Sequence, residues 1–574
     1  MNKLWIAILI VIGLILPGCQ TQKNTSADII LKNGNIQTMT SESDVQEALA
    51  IKNDKIIFVG KNKKIGLYVG KNTKIIDLKG KMVLPGFGDG HIHMPGRWSS
   101  RLFSINLEKE KTHSQYLKKI RYYIKNNPYQ KVYKGTSLNL NLYKRDDGSN
   151  PGPTKDDLDR ICSEKPIIIS DVSNHSIWVN SKALSIAKIT KNTPDPHGGV
   201  IRRTSEGEPS GLLTDAAQDL IYNCINTNLT DEQTYKALEA FQKEASSLGI
   251  TQMTNMWSLE DSKLSPYLQL EKDKKLHLRV RQAYMVSPKD KPLEVIHQIK
   301  KINHSGSKLI SGGTAKLFYD GVTEGGTAYM IGPYSKEVGF GENWHGESLW
   351  EKNKFEEMVS ALDKVGIQVH THAIGDKAVK ETLNAYEYSE KNNGKRDARH
   401  TITHVSSIQD NDILRFKQMN VIAALQFLWM YKDSLYELEK LSVGEQRANN
   451  MYPVKKMYQA GVSISGASDT PVTDYNPFKE IEVGVTRNTP FKEDINQNCY
   501  RNKKESVTPY QMLEFYTKNV AHENFLEKNT GTLEVGKKAD LIVVSQNILK
   551  VKSSEIGKTK VLYTFFDGKI VYKK

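Results

Sequence analysis

An α/β protein, a (β/α)8 TIM barrel carrying a small all-β sandwich built from both chain ends, is what this 574-residue sequence predicts. Three observations carry the expectation. Eight short apolar or β-branched runs recur through the middle of the chain with helical stretches between them, as in a parallel sheet wrapped by helices. Short β-like runs separated by turns occupy both ends of the chain instead. Histidines and a carboxylate recur where the central runs end, which is the face on which such barrels build their sites.

The N-terminus is a targeting segment and stands outside the fold. Lys3 precedes the apolar stretch Leu4 to Leu16, whose length suits a signal-peptide core and is short for a bilayer span. Leu16-Pro17-Gly18-Cys19 then resembles the lipobox of bacterial lipoproteins, with residues 1–18 as signal peptide, lipid on Cys19 and 19–26 as linker. Several acyl chains on one residue anchor stably where one does not. The body is therefore expected to be exported and held on the bacterial cell membrane, at its periplasmic or extracellular face.

From residue 27 to 82 come "DIILKNGNI", "EALAIKNDKIIFVG" and "TKIIDLKGKMV", and residues 528–574 repeat the style in "GTLEVGKKADLIVVS" and "VLYTFFDGKIVYKK". The two pieces predict one composite sandwich domain around an inserted middle, because chain ends often lie together. The middle, 83–527, supplies the barrel strands: "MVLPGF", "GITQMTNM", "LRVRQAYMV", "TAKLFYDG", "GIQVHTHA", "RHTITHV", "VIAALQF" and "VSISGASD". Between the first two, about residues 100–228 are too long for a crossover and predict a subdomain over the barrel mouth. The helix that follows has Thr230 and Gln233 spaced as a capping box and Gly249 as its stop.

Composition narrows the function. A hydrophobic fraction of 38% allows a sizeable core, and the net charge of +15 comes from lysines interleaved with acids. Such interleaving is a solvated surface, with no stripe for nucleic acid. Cys19 apart, Cys162, Cys224 and Cys499 form neither a disulfide framework nor a zinc-finger spacing.

The chemistry sits at the strand ends. The first run leads into Gly88-Asp89-Gly90-His91-Ile92-His93, the fifth ends in His370 and His372, the sixth in His404 and the eighth in Asp469. Alternate strand residues point the same way, so His91 and His93 can face one ion. Neutral imidazoles plus a carboxylate around an open position suit a catalytic divalent metal. Gly88 and Gly90 are expected to let the backbone turn tightly at the barrel mouth.

These pieces, "VLPGFGDGHIH", "VHTHAIGDKAV", "RHTITHV" and "GASDTPV", resemble the amidohydrolase superfamily, in particular its YtcJ-like branch, amidohydrolase family 3. "HSIWVNSKAL", "KLFYDGVTEGGTAYMIGPY" and "GTLEVGKKADLIVVS" extend the resemblance over about residues 27–574. It implies that His91 and His93 hold one ion with Asp469, and His372 and His404 a second. Lys316 would bridge the two after carboxylation of Nζ, since an ammonium has no lone pair and a carbamate has two oxygens. The alternative is an unmodified Lys316 and a single ion. The metal is expected to be zinc, with manganese or iron as alternatives. His370 aligns outside the ligand pattern; with His175, Asp320, Arg399 and Gln426 it is a candidate substrate contact. "TEGGTA" and "YKGTSLNLNLY" depart from relatives and suggest a reshaped pocket.

The resemblance implies a hydrolase cleaving a C–N bond of a small molecule, such as an N-acyl or N-formyl amine, by attack of metal-bound hydroxide with Asp469 as general base and acid. Deamination, cyclic-amide opening and ester hydrolysis use the same core. A non-catalytic solute-binding lipoprotein is the rival from another class, and it has no need of a ligand cluster on a barrel rim. The expected partners are a small-molecule substrate and the membrane through Cys19, and no nucleic acid; self-association into a homo-oligomer stays open.

Overall fold

The computed structural model describes residues 26–143, 151–171, 176–196, 199–256, 261–336, 341–491 and 499–574. At its centre eight parallel strands run in sequence order around a nearly closed barrel. They are β1 (Phe87–Ile92), β2 (Ile250–Asn255), β3 (Arg279–Val286), β4 (Ile310–Phe318), β5 (Gln368–Ala373), β6 (Thr401–His404), β7 (Ile422–Gln426) and β8 (Ser463–Ala467). Seven neighbouring pairs form parallel ladders from β1 through to β8. Just past the ends of β8 and β1 the seam is tied by the Asp469 amide donating to His91 O at 2.8 Å and the His93 amide donating to Thr470 O at 2.9 Å. The same two bonds fix the relative positions of the residues that matter most below.

Parallel strands buried on both faces read as apolar runs, which is why "VIAAL" and "SISGA" are buried almost throughout. The helix Asp231–Ser247 before β2 starts as its sequence dictates: Thr230 Oγ1 accepts from the Gln233 amide, and Gln233 Oε1 accepts from the Thr230 amide. Gly249 ends it with φ +81°.

One element differs from expectation. Met82–Pro85, taken from the sequence as part of the first barrel strand, pairs antiparallel with Leu541–Val544 in a six-stranded sheet at the chain ends. The barrel strand begins only at Phe87, so "FGDGHI" is strand and not loop. A run of four buried apolar residues satisfies either sheet, and nothing local separates them. The six-stranded sheet takes three strands from each end of the chain, and beside it Ile29–Lys32, Ala48–Lys52, Lys55–Gly60 and Lys74–Asp77 form a four-stranded sheet. Leu31, Leu49, Val83, Leu541 and Phe565 share one apolar cluster, so the two ends need each other for burial.

The role expected of Gly88 and Gly90 is corrected by the same strand. Neither turns the chain. A Cβ on Gly88 would stand 2.6 Å from Val520 Cγ1, and one on Gly90 would stand 2.5 Å from Glu523 Oε2 and 3.0 Å from Ser465 Oγ. The missing side chains let the helix Lys518–Glu523 press against the barrel strand.

Residues 105–215 contribute a further six-stranded sheet with apolar clusters on both faces. Ile167 and Ile169 enter one cluster and Ile168 the other, as period-two alternation requires.

The terminal sheet is pinned to the barrel by charge. Arg279, at the start of β3, donates from Nε to Asp540 Oδ2 at 2.8 Å and from Nη2 to Asp567 Oδ1 at 2.5 Å. Asp540 is 1% exposed. Replacing only the cation strands a buried carboxylate, so Arg279→Leu is expected to cost about 3–5 kcal/mol. Urea unfolding checks this; an unchanged midpoint would show the pair to be ornamental.

Candidate metal and active site

At the C-terminal ends of the strands opens a cavity of about 350 Å³. Its floor is made by His91, His93, Lys316, His372, His404 and Asp469, brought from β1, β4, β5, β6 and the turn after β8. Ligand atoms of His91, His404 and Asp469 all lie within 4.8 Å of one another. Asp469 Oδ1 stands 3.2 Å from His91 Nε2 and 3.2 Å from His93 Nε2. Lys316 Nζ lies 3.2 Å from His91 Nε2. The rings of His372 and His404 have centroids 4.5 Å apart.

Three of the four histidines, His91, His372 and His404, are aimed by the bond that the other nitrogen makes. His372 Nε2 is 3.0 Å from Gly321 O, a carbonyl that can only accept. The proton therefore sits on Nε2 and the Nδ1 lone pair is left for the centre. His404 Nδ1 is 2.9 Å from Gln426 Oε1, while Gln426 Nε2 donates to Thr403 Oγ1 at 3.2 Å. That orients the amide as an acceptor toward His404 and frees the Nε2 lone pair. The His404 ring also stacks on Trp429, with planes 4° apart. His91 uses Nδ1 toward His370 Nε2 at 2.9 Å, so its Nε2 faces Asp469 and Lys316.

Electrostatics agree with a donor set. Burial drives His91 and His404 well below the ordinary histidine value and His372 down to about 4, so all three are neutral at pH 7. Burial likewise lowers Lys316 to about 7. Burial alone would raise Asp469, but the hydrogen bond from His93 and the charge of Lys316 hold it below the usual carboxylate range. Neutral lone pairs and one carboxylate converging on a gap are the chemistry of a divalent-metal centre, and these residues fit one. His404 and Asp469 take left-handed backbone, φ +78° and +55°. Strain of that kind costs on the order of 1–3 kcal/mol and persists where surrounding structure imposes it.

The proposed substrate contacts sit elsewhere. Asp320 spends its carboxylate on the backbone amides of Tyr329, Ile374 and Gly375, pinning the loops after β4 and β5. Arg399 precedes β6 at the opposite end of the barrel and is committed to Asp397, Glu527 and His522 O. Gln426 holds His404. His370 points inward like His372 but lies two residues, roughly 6.6 Å, deeper along β5. None of the four lines the cavity. Lys316 is paired in register with His370, yet its long side chain lifts Nζ to the floor. His175 and Cys19 lie outside the described residues.

Sequence reasoning missed the walls. Trp429 follows β7 directly and could have been noticed as an aromatic at a strand end. Arg501, ion-paired with Glu439 at 2.7 Å, comes from a remote stretch with no strand-end or spacing signal. Among the described residues no helix is long and apolar enough to cross a membrane. Among the described residues Cys162, Cys224 and Cys499 form no disulfide.

Known proteins resemble the chain over most of its length. The amidohydrolase family profile matches residues 74–572. The chain is 27% identical over 549 residues to YtcJ of Bacillus subtilis (strain 168), covering 95% of this chain and 99% of that one. It is 24% identical over 561 residues to the N-substituted formamide deformylase of Arthrobacter pascens, covering 95% and 98%. In fold it resembles a metal-dependent hydrolase from Pyrococcus horikoshii, uncharacterized beyond that description, with TM-score 0.73, 23% identity and coverage of 92% and 99%. With its profile match running from the last strands before the barrel to the end of the terminal sheet, the chain belongs to the amidohydrolase family, family 3.

Proposed function

We propose that the protein is a metal-dependent hydrolase that cleaves the C–N bond of a small amide, such as an N-acyl or N-formyl amine. The observation that carries this reading is the set of three histidines whose second hydrogen bonds leave a nitrogen for the cavity floor, with those of His91 and His404 within 4.8 Å of an Asp469 oxygen. His91, His93 and Asp469 would hold one ion and His372 and His404 another, with Lys316 carboxylated between them. Imidazole-rich donors favour zinc, with manganese or iron as alternatives. A divalent ion there supplies Lewis-acid polarisation of the scissile carbonyl and a water acidic enough to react at neutral pH. Asp469 is the group that would accept a proton from the attacking water and give it to the leaving nitrogen, and Trp429 would shield one side of the cavity. Resemblance to a formamide deformylase supports a substrate with a small acyl side.

The two terminal segments are read as one sandwich domain. Cys19 is read as lipidated, placing the enzyme outside the cytoplasm on the bacterial membrane; mass spectrometry of the intact N-terminus tests that. The function is tested by metal content and a screen of N-formyl, N-acyl and cyclic amides. Purified protein should carry near-stoichiometric zinc, manganese or iron and release amine from at least one amide class, and chelation should abolish release. Substoichiometric metal after metal-replete purification would sink the catalytic reading.

A further inference from the structure

We propose that Glu523 is a positioning residue: through His370 it sets which nitrogen of His91 faces the metal centre. The proposal rests on the metal-site reading above and extends it to a residue on a helix behind the barrel strands.

The chain of contacts runs inward from the helix Lys518–Glu523. Glu523 Oε1 faces His370 Nδ1 at 3.6 Å. His370 Nε2 meets His91 Nδ1 at 2.9 Å, and His91 Nε2 stands 3.2 Å from Asp469 Oδ1. Glu523, His370 and His91 are each fully buried. Among the described residues His370 Nδ1 has no hydrogen-bond partner within normal distance. The group it faces is the Glu523 carboxyl, which burial raises to about 8; charged or protonated, that carboxyl retains an oxygen able to accept. Arg281, whose charge acts on Glu523, directs Nε to Thr314 Oγ1 and Gln368 Oε1 and Nη2 to Gly313 O.

Tautomers follow by elimination. A neutral imidazole carries one proton, so His91 can offer Nε2 to an ion only with its proton on Nδ1. That proton must be accepted by His370 Nε2, which puts the proton of His370 on Nδ1, facing the carboxyl. An acceptor at Glu523 selects this arrangement. Without one, both rings can exchange roles: His370 donates from Nε2, and His91 turns an N–H toward the ion. His372 and His404 are each fixed by an oxygen acceptor, Gly321 O and Gln426 Oε1 respectively. A histidine cannot by itself fix the tautomer of another, so His91 needs the third member. Gly90 belongs to the same device, since a Cβ there would occupy the place of Glu523 Oε2.

The test uses the full chain with Zn²⁺ affinity measured against a chromophoric chelator, and the visible spectrum of the Co²⁺-loaded protein. Glu523→Leu should weaken Zn²⁺ binding by about 10–100-fold and alter the Co²⁺ spectrum. Glu523→Gln, whose amide oxygen can accept, should recover most of the affinity. The double variant with His370→Leu should bind no more weakly than His370→Leu alone, because one member acts through the other. Wild-type affinity in Glu523→Leu, or losses that add in the double variant, overturns the proposal. Ring ¹⁵N shifts of metal-free wild type need no variant to fold: protons on Nδ1 of His91 and His370 support the relay, and a proton on Nε2 of His91 overturns it. Wild type that binds no metal would instead sink the site reading itself.

Discussion

Asp469→Asn should lower kcat by about 10²–10⁴-fold on whatever amide the wild type turns over, with its melting temperature little changed. The substitution keeps volume and one coordinating oxygen, so packing at the β8–β1 seam survives. The backbone bond from the Asp469 amide to His91 O is untouched. What is lost is the ability to take a proton. Asp469 Oδ1 stands 3.2 Å from the nitrogens of both His91 and His93, and the surrounding donors keep it ionised although it is almost wholly buried. An amide in its place has no basic lone pair at neutral pH. The pH profile distinguishes this from simple metal loss. With metal supplied in excess, the acid limb of kcat/KM that reports the free carboxylate should disappear in the variant. Undiminished turnover would remove Asp469 from its role and leave it a ligand only.

The clustering of these side chains was legible in the sequence because barrel geometry ties strand ends to one rim. His91, His93, His372, His404 and Asp469 each end or follow an apolar run, and all five reach the cavity floor. Lys316 was legible only by resemblance, since a lysine two residues inside a strand is not itself a signal. What failed was anything decided by partners far along the chain. Gln426 and Asp320 sit beside rim residues in sequence, yet Gln426 orients a histidine and Asp320 holds loop amides. Arg399 stands at the other end of β6, a difference of polarity along one strand that a short motif does not display. The glycines of "GDGHIH" were misread for the same reason: their neighbours are Val520 and Glu523, more than 400 residues later. "MVLP" could serve either sheet, and only its partner Leu541–Val544 decides.

Replacing Lys316 by Met should reduce bound zinc from two ions to one per chain and cut kcat/KM by about 100-fold or more, the several kcal/mol expected of carbonyl polarisation by a second ion. Lys316 is fully buried, with Nζ 4.6 Å from the centre of the Phe318 ring. Methionine keeps that apolar contact, so lost packing is not the expected cause. As an ammonium Lys316 could only repel a cation beside His91. Burial, opposed by the charge of Asp469, brings it down to about 7, so a substantial fraction is free amine at neutral pH. A free amine adds to carbon dioxide: the N–C bond forms, one proton leaves the nitrogen, and the neutral amine becomes a carbamate whose single negative charge is shared by two oxygens. Those oxygens would lie between the group formed by His91, His93 and Asp469 and the group formed by His372 and His404, the position from which two ions can be shared. The reaction makes metal loading depend on bicarbonate. Metal-free wild type reconstituted with zinc in carbon dioxide-depleted buffer should load slowly and incompletely, and added bicarbonate should restore it. Lys316→Met should show no such dependence. If wild type loads one ion regardless of bicarbonate and the variant matches its activity, the site is mononuclear and Lys316 serves as a buried amine near His91.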